Sequence, residues 1–247
     1  MAISLSPSPL AVARAVLNVL YRDPGRLAAG IGVFFLAPYV AGYFLIYKPA
    51  LDGLYGDAIG YYLRYYGFIL LFFVIKALNA CVTGQIIFNR LKGQPRPLHA
   101  VVPHGLVNAV RTLAVYVPVA ALIYLGNAAW TVPGLVAGYF AVFFLAAVLY
   151  DRLGLVSGWK AGARARNGHN LMLVVNFLLL AAFVFGMQKL TAPLSGFVTR
   201  YVSADAATVT TAVVYAVIEL AGQLWGIALY VLPQGAAPTG DIASVFD

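Results

Sequence analysis

Six stretches of this chain are long and apolar enough to form helices across a bilayer, which excludes most folds open to a 247-residue protein. A hydrocarbon core of about 30 Å needs about 20 apolar helical residues. The stretches run over about 27–47, 66–88, 110–125, 132–150, 171–187 and 209–232. They lack the polar–apolar alternation of a membrane barrel. The chain is 62% hydrophobic and 10% charged, with mean hydropathy +0.87. A soluble domain carries roughly 25% charged residues, so water cannot solvate this surface. The expected fold class is all-α: a polytopic, six-span membrane domain over residues 1–233, followed by a flexible Gly/Ala/Pro-rich tail over 234–247. The third and fifth stretches are short and are expected to borrow length from helices before them. The N-terminal 26 residues hold no uninterrupted apolar core, so no cleavable signal peptide is expected.

The net charge of +8 has a pattern. Arg14, Arg22 and Arg26 precede the first stretch. Arg90, Lys92, Arg96 and Arg111 lie between the second and third, and Arg152, Lys160, Arg164 and Arg166 between the fourth and fifth. Eleven of the sixteen basic residues thus fall in alternate segments. The positive-inside rule then places both termini in the cytoplasm of a cell-membrane protein. Membrane lipids are the expected partners, with other membrane subunits a further option and oligomeric state open. Nucleic acid is not expected, because the basic residues form no single block interleaved with aromatics. On the opposite side Tyr55, Tyr61, Tyr62, Tyr65, Tyr66 and Trp130 would form an aromatic belt, and Trp159 would mark the inner interface.

A weak threefold repeat runs through this layout. Cytoplasmic segments of helical character, Pro9 to Tyr21, Pro97 to Thr112 and Val156 to Asn170, each precede an odd-numbered stretch. The last two follow similar turns, Asn89-Arg90-Leu91-Lys92-Gly93 and Asp151-Arg152-Leu153-Gly154. In the first segment Val12, Val16, Val19 and Leu20 make an apolar stripe with Arg14 and Asn18 off it. That suits a helix lying in the headgroup region or plugging the inner face of the bundle.

Several short motifs carry a resemblance: Tyr21-Arg22-Asp23-Pro24, Arg90-Leu91-Lys92-Gly93 followed by Pro97-Leu98-His99-Ala100, Pro133-Gly134, Tyr150-Asp151-Arg152, and Gly168-His169-Asn170. In these the chain resembles the six-span families related to the membrane domain of bacterial glycerophosphodiester phosphodiesterases, including the YciC-like proteins. The resemblance implies a six-span membrane domain. Phosphodiesterase chemistry in that group belongs to a separate soluble domain, so the resemblance implies no active-site residue here.

Lys76 and Glu219 are the only charged side chains well inside apolar stretches. Each lies ten residues into a stretch running inward, roughly 15 Å at helical rise. Opposite charges in hydrocarbon are costly alone and far cheaper together, so a contact near the midplane is expected. Ala80 and Gly84 on one side, and Gly222 and Gly226 on the other, are read as small residues that let helices approach. Asn79 and Gln223 would line a path beside the pair, with Thr83 on the same side as Asn79. Gly134 and Gly138 are read as a packing face, and Pro38 and Pro118 as kinks. Arg164, Arg166, His169 and Asn170 are expected to contact lipid headgroups. No nucleophile–base set, paired carboxylates, phosphate loop or metal-ligand spacing is evident, and no cofactor or metal is expected. Three functions fit these residues. One is a non-enzymatic scaffold, accessory subunit or lipid-associated module. Another is a transporter or channel whose path is lined by Lys76, Glu219, Gln223 and Asn79. The third is an intramembrane enzyme that acts on a lipid substrate with the basic inner surface.

Overall fold

A computed structural model describes residues 7–51, 58–129 and 131–234, and among them all regular structure is helical. A short helix α1 (Pro9–Arg22) leads to α2 (Pro24–Tyr47) and α3 (Gly60–Leu91). A second short helix α4 (Leu98–Val107) leads to α5 (Ala109–Ala129) and α6 (Thr131–Leu149). A third, α7 (Leu155–Arg166), leads to α8 (Asn170–Tyr201) and α9 (Ala204–Gln234). The order short, long, long therefore recurs three times. Tyr55, Trp130 and nearly all of the expected tail lie outside the described residues.

This is the helix set of an all-α, polytopic membrane protein. Among the described residues, five helices are long and apolar enough to cross a membrane: α2, α3, α6 over Val132–Leu149, α8 and α9. The count reaches six when α4 and Ala109–Ile123 are taken as one span, bent by 66° at the break. The fifth stretch gains its length from residues after it, not before it. An Asn167–His169 turn separates it from α7, and α8 continues to Tyr201 rather than ending near 187. Its polar residues stay helical by bonding their own backbone: Thr191 Oγ1 donates to the Met187 carbonyl and Thr199 Oγ1 to that of Ser195, each at 2.9 Å. Such i−4 bonding satisfies the hydroxyl without leaving the helix.

Prolines and glycines set local geometry. Ser8 caps α1, its Oγ accepting from the Ala11 N–H at 3.2 Å, and Pro9 fills the first turn, where no N–H is needed. Pro38 lacks an N–H, and the helix around it opens into π turns at Gly32–Leu36 and Tyr43–Tyr47. α3 carries a π turn at Ala80–Gly84. It ends with Gly93 in the left-handed region, φ 72°, while the Gln94 N–H bonds the Asn89 carbonyl at 2.8 Å. The corresponding turn after α6 differs, because there Arg152 takes the left-handed conformation, φ 58°.

The core lies at one end of the bundle. Val12, Ala15 and Val19 of α1 are buried there with Leu27, Ile87, Phe143, Leu173 and the last turns of α9. So α1 packs its apolar stripe onto the bundle as a plug, with Arg14 and Leu17 left outward. Asn176, fully buried, donates to the Pro7 carbonyl at 2.7 Å and so ties the start of α1 to α8. A smaller cluster around Phe35, Ile75 and Ala216 sits beyond, with Tyr39 and Phe72 against it. The Gly134 and Gly138 face splits between two neighbours. Gly134 meets Gly126 of α5 at close range, and Gly138 faces Phe177 of α8.

Polar bonds knit the same end. Arg90 bonds Asp23, whose other oxygen meets Arg26 at 3.2 Å. Asp151 accepts from the Tyr230 hydroxyl at 2.5 Å and lies 3.8 Å from Lys92, which also donates to Gln234 at 3.1 Å. Arg111 donates to the Leu153 carbonyl at 2.7 Å. At the opposite end Lys48 donates to both Asp205 oxygens, at 2.7 and 2.9 Å. Asp23 is buried. Its hydrogen bond from Arg90, above all, holds its carboxyl below the ordinary carboxylate range, against the opposing effect of burial. A lowered folded value means the clamp stabilises above the unfolded value of about 3.9 and is lost as pH falls through the folded one. Thermal unfolding in detergent between pH 3 and pH 7 should show this. Asp23→Asn is expected to be less stable than wild type by about 1–3 kcal/mol near pH 7, with the gap closing toward pH 3. An equal gap at both pH values would contradict the clamp.

Candidate functional site

Lys76 lies 16 residues from Gly60 and 15 from Leu91 within α3, while Glu219 lies 15 residues from each end of α9. Both are therefore central in helices of nearly equal length, and the structure brings them together: Lys76 Nζ is 3.0 Å from Glu219 Oε2. Neither side chain is sealed, with 28% of Lys76 and 13% of Glu219 exposed. They border a cavity of about 400 Å³. Every long helix contributes to its wall, including Phe35 of α2, Tyr116 of α5, Val142 of α6 and Gln188 of α8.

The pair is the centre of a small polar network. Gln223 Nε2 donates to Glu219 Oε1 at 3.2 Å, one turn along α9. Tyr116 stands in the same wall as Lys76. The ammonium also sits 5.4 Å from the centre of the Phe72 ring, within cation–π range. Each charge is thus compensated, as a desolvated pair requires. The network is not closed, because Gln223 Oε1 is buried with no partner among the described residues. A buried acceptor left unbonded costs about 1–3 kcal/mol, and the residue that carries it lines the cavity.

The small residues beside the pair act differently from the sequence expectation. A side-chain carbon placed on Gly222 would meet nothing within 4 Å, so Gly222 faces the empty chamber rather than a neighbouring helix. Ala80 lines the same chamber. Gly226 approaches Val142, and Gly84 is pressed by the Tyr150 hydroxyl. The stripes therefore make room as well as contact.

Asn79 does not line the chamber. It is fully buried and accepts from Thr83 Oγ1 at 2.7 Å. Thr83 in turn lies against Gly30, which turns this pair toward α2. Helical offset is the reason: three residues from Lys76 swing Asn79 about 60° around α3, while Ala80, four residues on, stays beneath it. Tyr116, Tyr150 and Gln188 are wall residues that sequence reading did not select. Tyr116 and Tyr150 look like ordinary aromatics of apolar stretches, and Gln188 lies just past the expected end of the fifth.

A second cavity, about 660 Å³, lies at the basic end between α6, α7 and α8. Arg164, Arg166, Asn167 and Asn170 border it together with Tyr139 and Phe140. Arg166 lies over the Phe140 ring at 4.5 Å. His169 is not in this wall; it occupies the N-cap position of α8, its side chain making no capping bond. Trp159 stacks on Phe140 at 6.0 Å and is half exposed. No family model, curated protein or solved structure matches this chain. The site's geometry alone therefore carries the functional argument.

Replacing Tyr116 by Phe removes the hydroxyl in the wall beside Lys76 and keeps the ring and the ion pair. Chemical unfolding in detergent should show a loss of about 1 kcal/mol. A loss of several kcal/mol would mean that Tyr116 is structural in some other way.

Proposed function

We propose that this chain is an integral protein of the cell membrane, with both termini in the cytoplasm, that takes a small polar solute into its central chamber in the manner of a transporter. One observation carries the reading: the intramembrane ion pair stands in the wall of a cavity to which all the long helices contribute. A pair serving only to lock two helices would be expected to sit in tight packing, and Gly222 and Ala80 instead hold space open beside it. Intramembrane ionisable groups facing an internal cavity commonly mark substrate or ion pathways. Lys76 would receive an acceptor, Gln223 Oε1 a donor, and the aromatic wall of Phe35, Phe72, Tyr116 and Tyr215 the apolar remainder. The orientation rests on the eleven basic residues carried by the elements of one end.

A second reading, a scaffold or lipid-associated module, is favoured by the basic cavity. Arg164 and Arg166 make no salt bridge among the described residues, and Asn170 opens the long helix α8 beside them. Two guanidiniums without a carboxylate at a helix N-terminus suit a phospholipid phosphate. This arrangement can coexist with a solute chamber.

Native mass spectrometry of protein released from its own membranes in mild detergent tests the first reading. Wild type is expected to retain a small molecule that Gly222→Leu excludes, with unchanged melting temperature because the new side chain fills empty space. Equal retention by both proteins would contradict the chamber. Retention of only a phospholipid or a protein subunit would favour the second reading.

A further inference from the structure

A third cavity, about 300 Å³, lies at the basic end between the last turn of α3, α4 and the turn after α6. Arg96, Arg152, His104, Gln94 and Asn89 border it, and no carboxylate does. Neither arginine makes a salt bridge among the described residues. Asn89 is only 8% exposed. Its Oδ1 accepts from Gln85 at 2.9 Å, but its Nδ2 has no partner among the described residues. A buried donor left unbonded costs about 1–3 kcal/mol, and an anionic oxygen is the acceptor that would remove this cost most effectively. Two unpaired guanidiniums and a free amide N–H around a cavity without acids match the needs of a carboxylate or phosphate group.

Tyr150 is the residue that this cavity and the central chamber share. Its ring stacks on Phe88, centroids 5.5 Å apart and 26° from parallel. Its hydroxyl rests against Gly84, where any side-chain carbon would overlap it. One side chain, seated on a glycine and stacked on one aromatic ring, therefore lines both the basic cavity and the space beside Lys76.

We propose that the basic cavity is the vestibule for a small anion bearing a carboxylate or phosphate group, and that Tyr150 is the gate between it and the chamber. This rests on the chamber reading for its destination and adds the charge of the solute and its route. Arg96 and Arg152 gather the anion, and Asn89 supplies a buried donor. Displacement of the Tyr150 ring from Phe88 opens the way to Lys76, the one cation in the chamber wall.

Thiol modification of the full chain in detergent tests this. Cys81, the single natural cysteine, is replaced by Ala, and Gly222→Cys places a thiol in the open chamber. The probes are an anionic and a cationic methanethiosulfonate of similar size. Tyr150→Ala is expected to speed modification at least about tenfold. In that background, Arg96→Gln with Arg152→Gln is expected to lower the ratio of anionic to cationic rates at least about threefold. Phe88→Leu, which removes the stacking partner and keeps Tyr150, should give an intermediate rate and stands in if Tyr150→Ala does not fold. Equal rates with and without the Tyr150 ring, or an unchanged charge ratio, would overturn the proposal. Fast modification with Tyr150 in place would overturn the gate and leave the chamber standing. No modification in any variant would overturn both.

Discussion

An ammonium or a carboxylate left alone in apolar surroundings costs several kcal/mol even after relaxation. Lys76 and Glu219 each lie about fifteen residues from the ends of a helix made to cross hydrocarbon, and neither can reach water by snorkelling over that distance. Their meeting at 3.0 Å fixes the relative height of α3 and α9. The rest of the bundle conforms to that constraint. The basic-end core forms where the last turns of α3 and α9 run together, and α1 closes over them. Above it, Gln223 bonds Glu219, Tyr116 stands in the same wall, and the helices stand apart far enough to leave a chamber. A charge pair that costs little more than it returns in stability still selects one register of two long, otherwise featureless apolar helices.

Much of this was legible in the residues. Apolar runs of about twenty residues specify helices because no other backbone can satisfy its own N–H and C=O groups in lipid. The Lys76–Glu219 contact was legible because depth can be counted along a helix from its ends. The helix ends were harder. α8 runs on past its apolar stretch because Thr191 and Thr199 satisfy their hydroxyls on their own helix, which hydropathy does not register.

The chamber was illegible for a different reason. A glycine one turn from a charge reads identically whether a neighbouring helix presses on it or nothing does. Gly84 and Gly226 have close neighbours; Gly222 has none. Only the packing of the other helices decides between these cases. Asn79 shows the limit of treating one side of a helix as a unit, since its small angular offset from Lys76 turns it toward Gly30 instead. The two turns that look alike in sequence part company similarly. Gly93 takes the left-handed conformation in one, and Arg152 in the other, where it faces a cavity with Arg96 and Asn89.

The most direct test of the central claim, that Lys76 and Glu219 touch inside the bundle, is a double-mutant cycle on stability in detergent. Lys76→Met and Glu219→Gln should each lose about 3–5 kcal/mol by leaving the other charge uncompensated. The double variant should recover much of that loss, giving a coupling energy of at least about 1 kcal/mol. Additive losses, or full stability in both single variants, would contradict the contact.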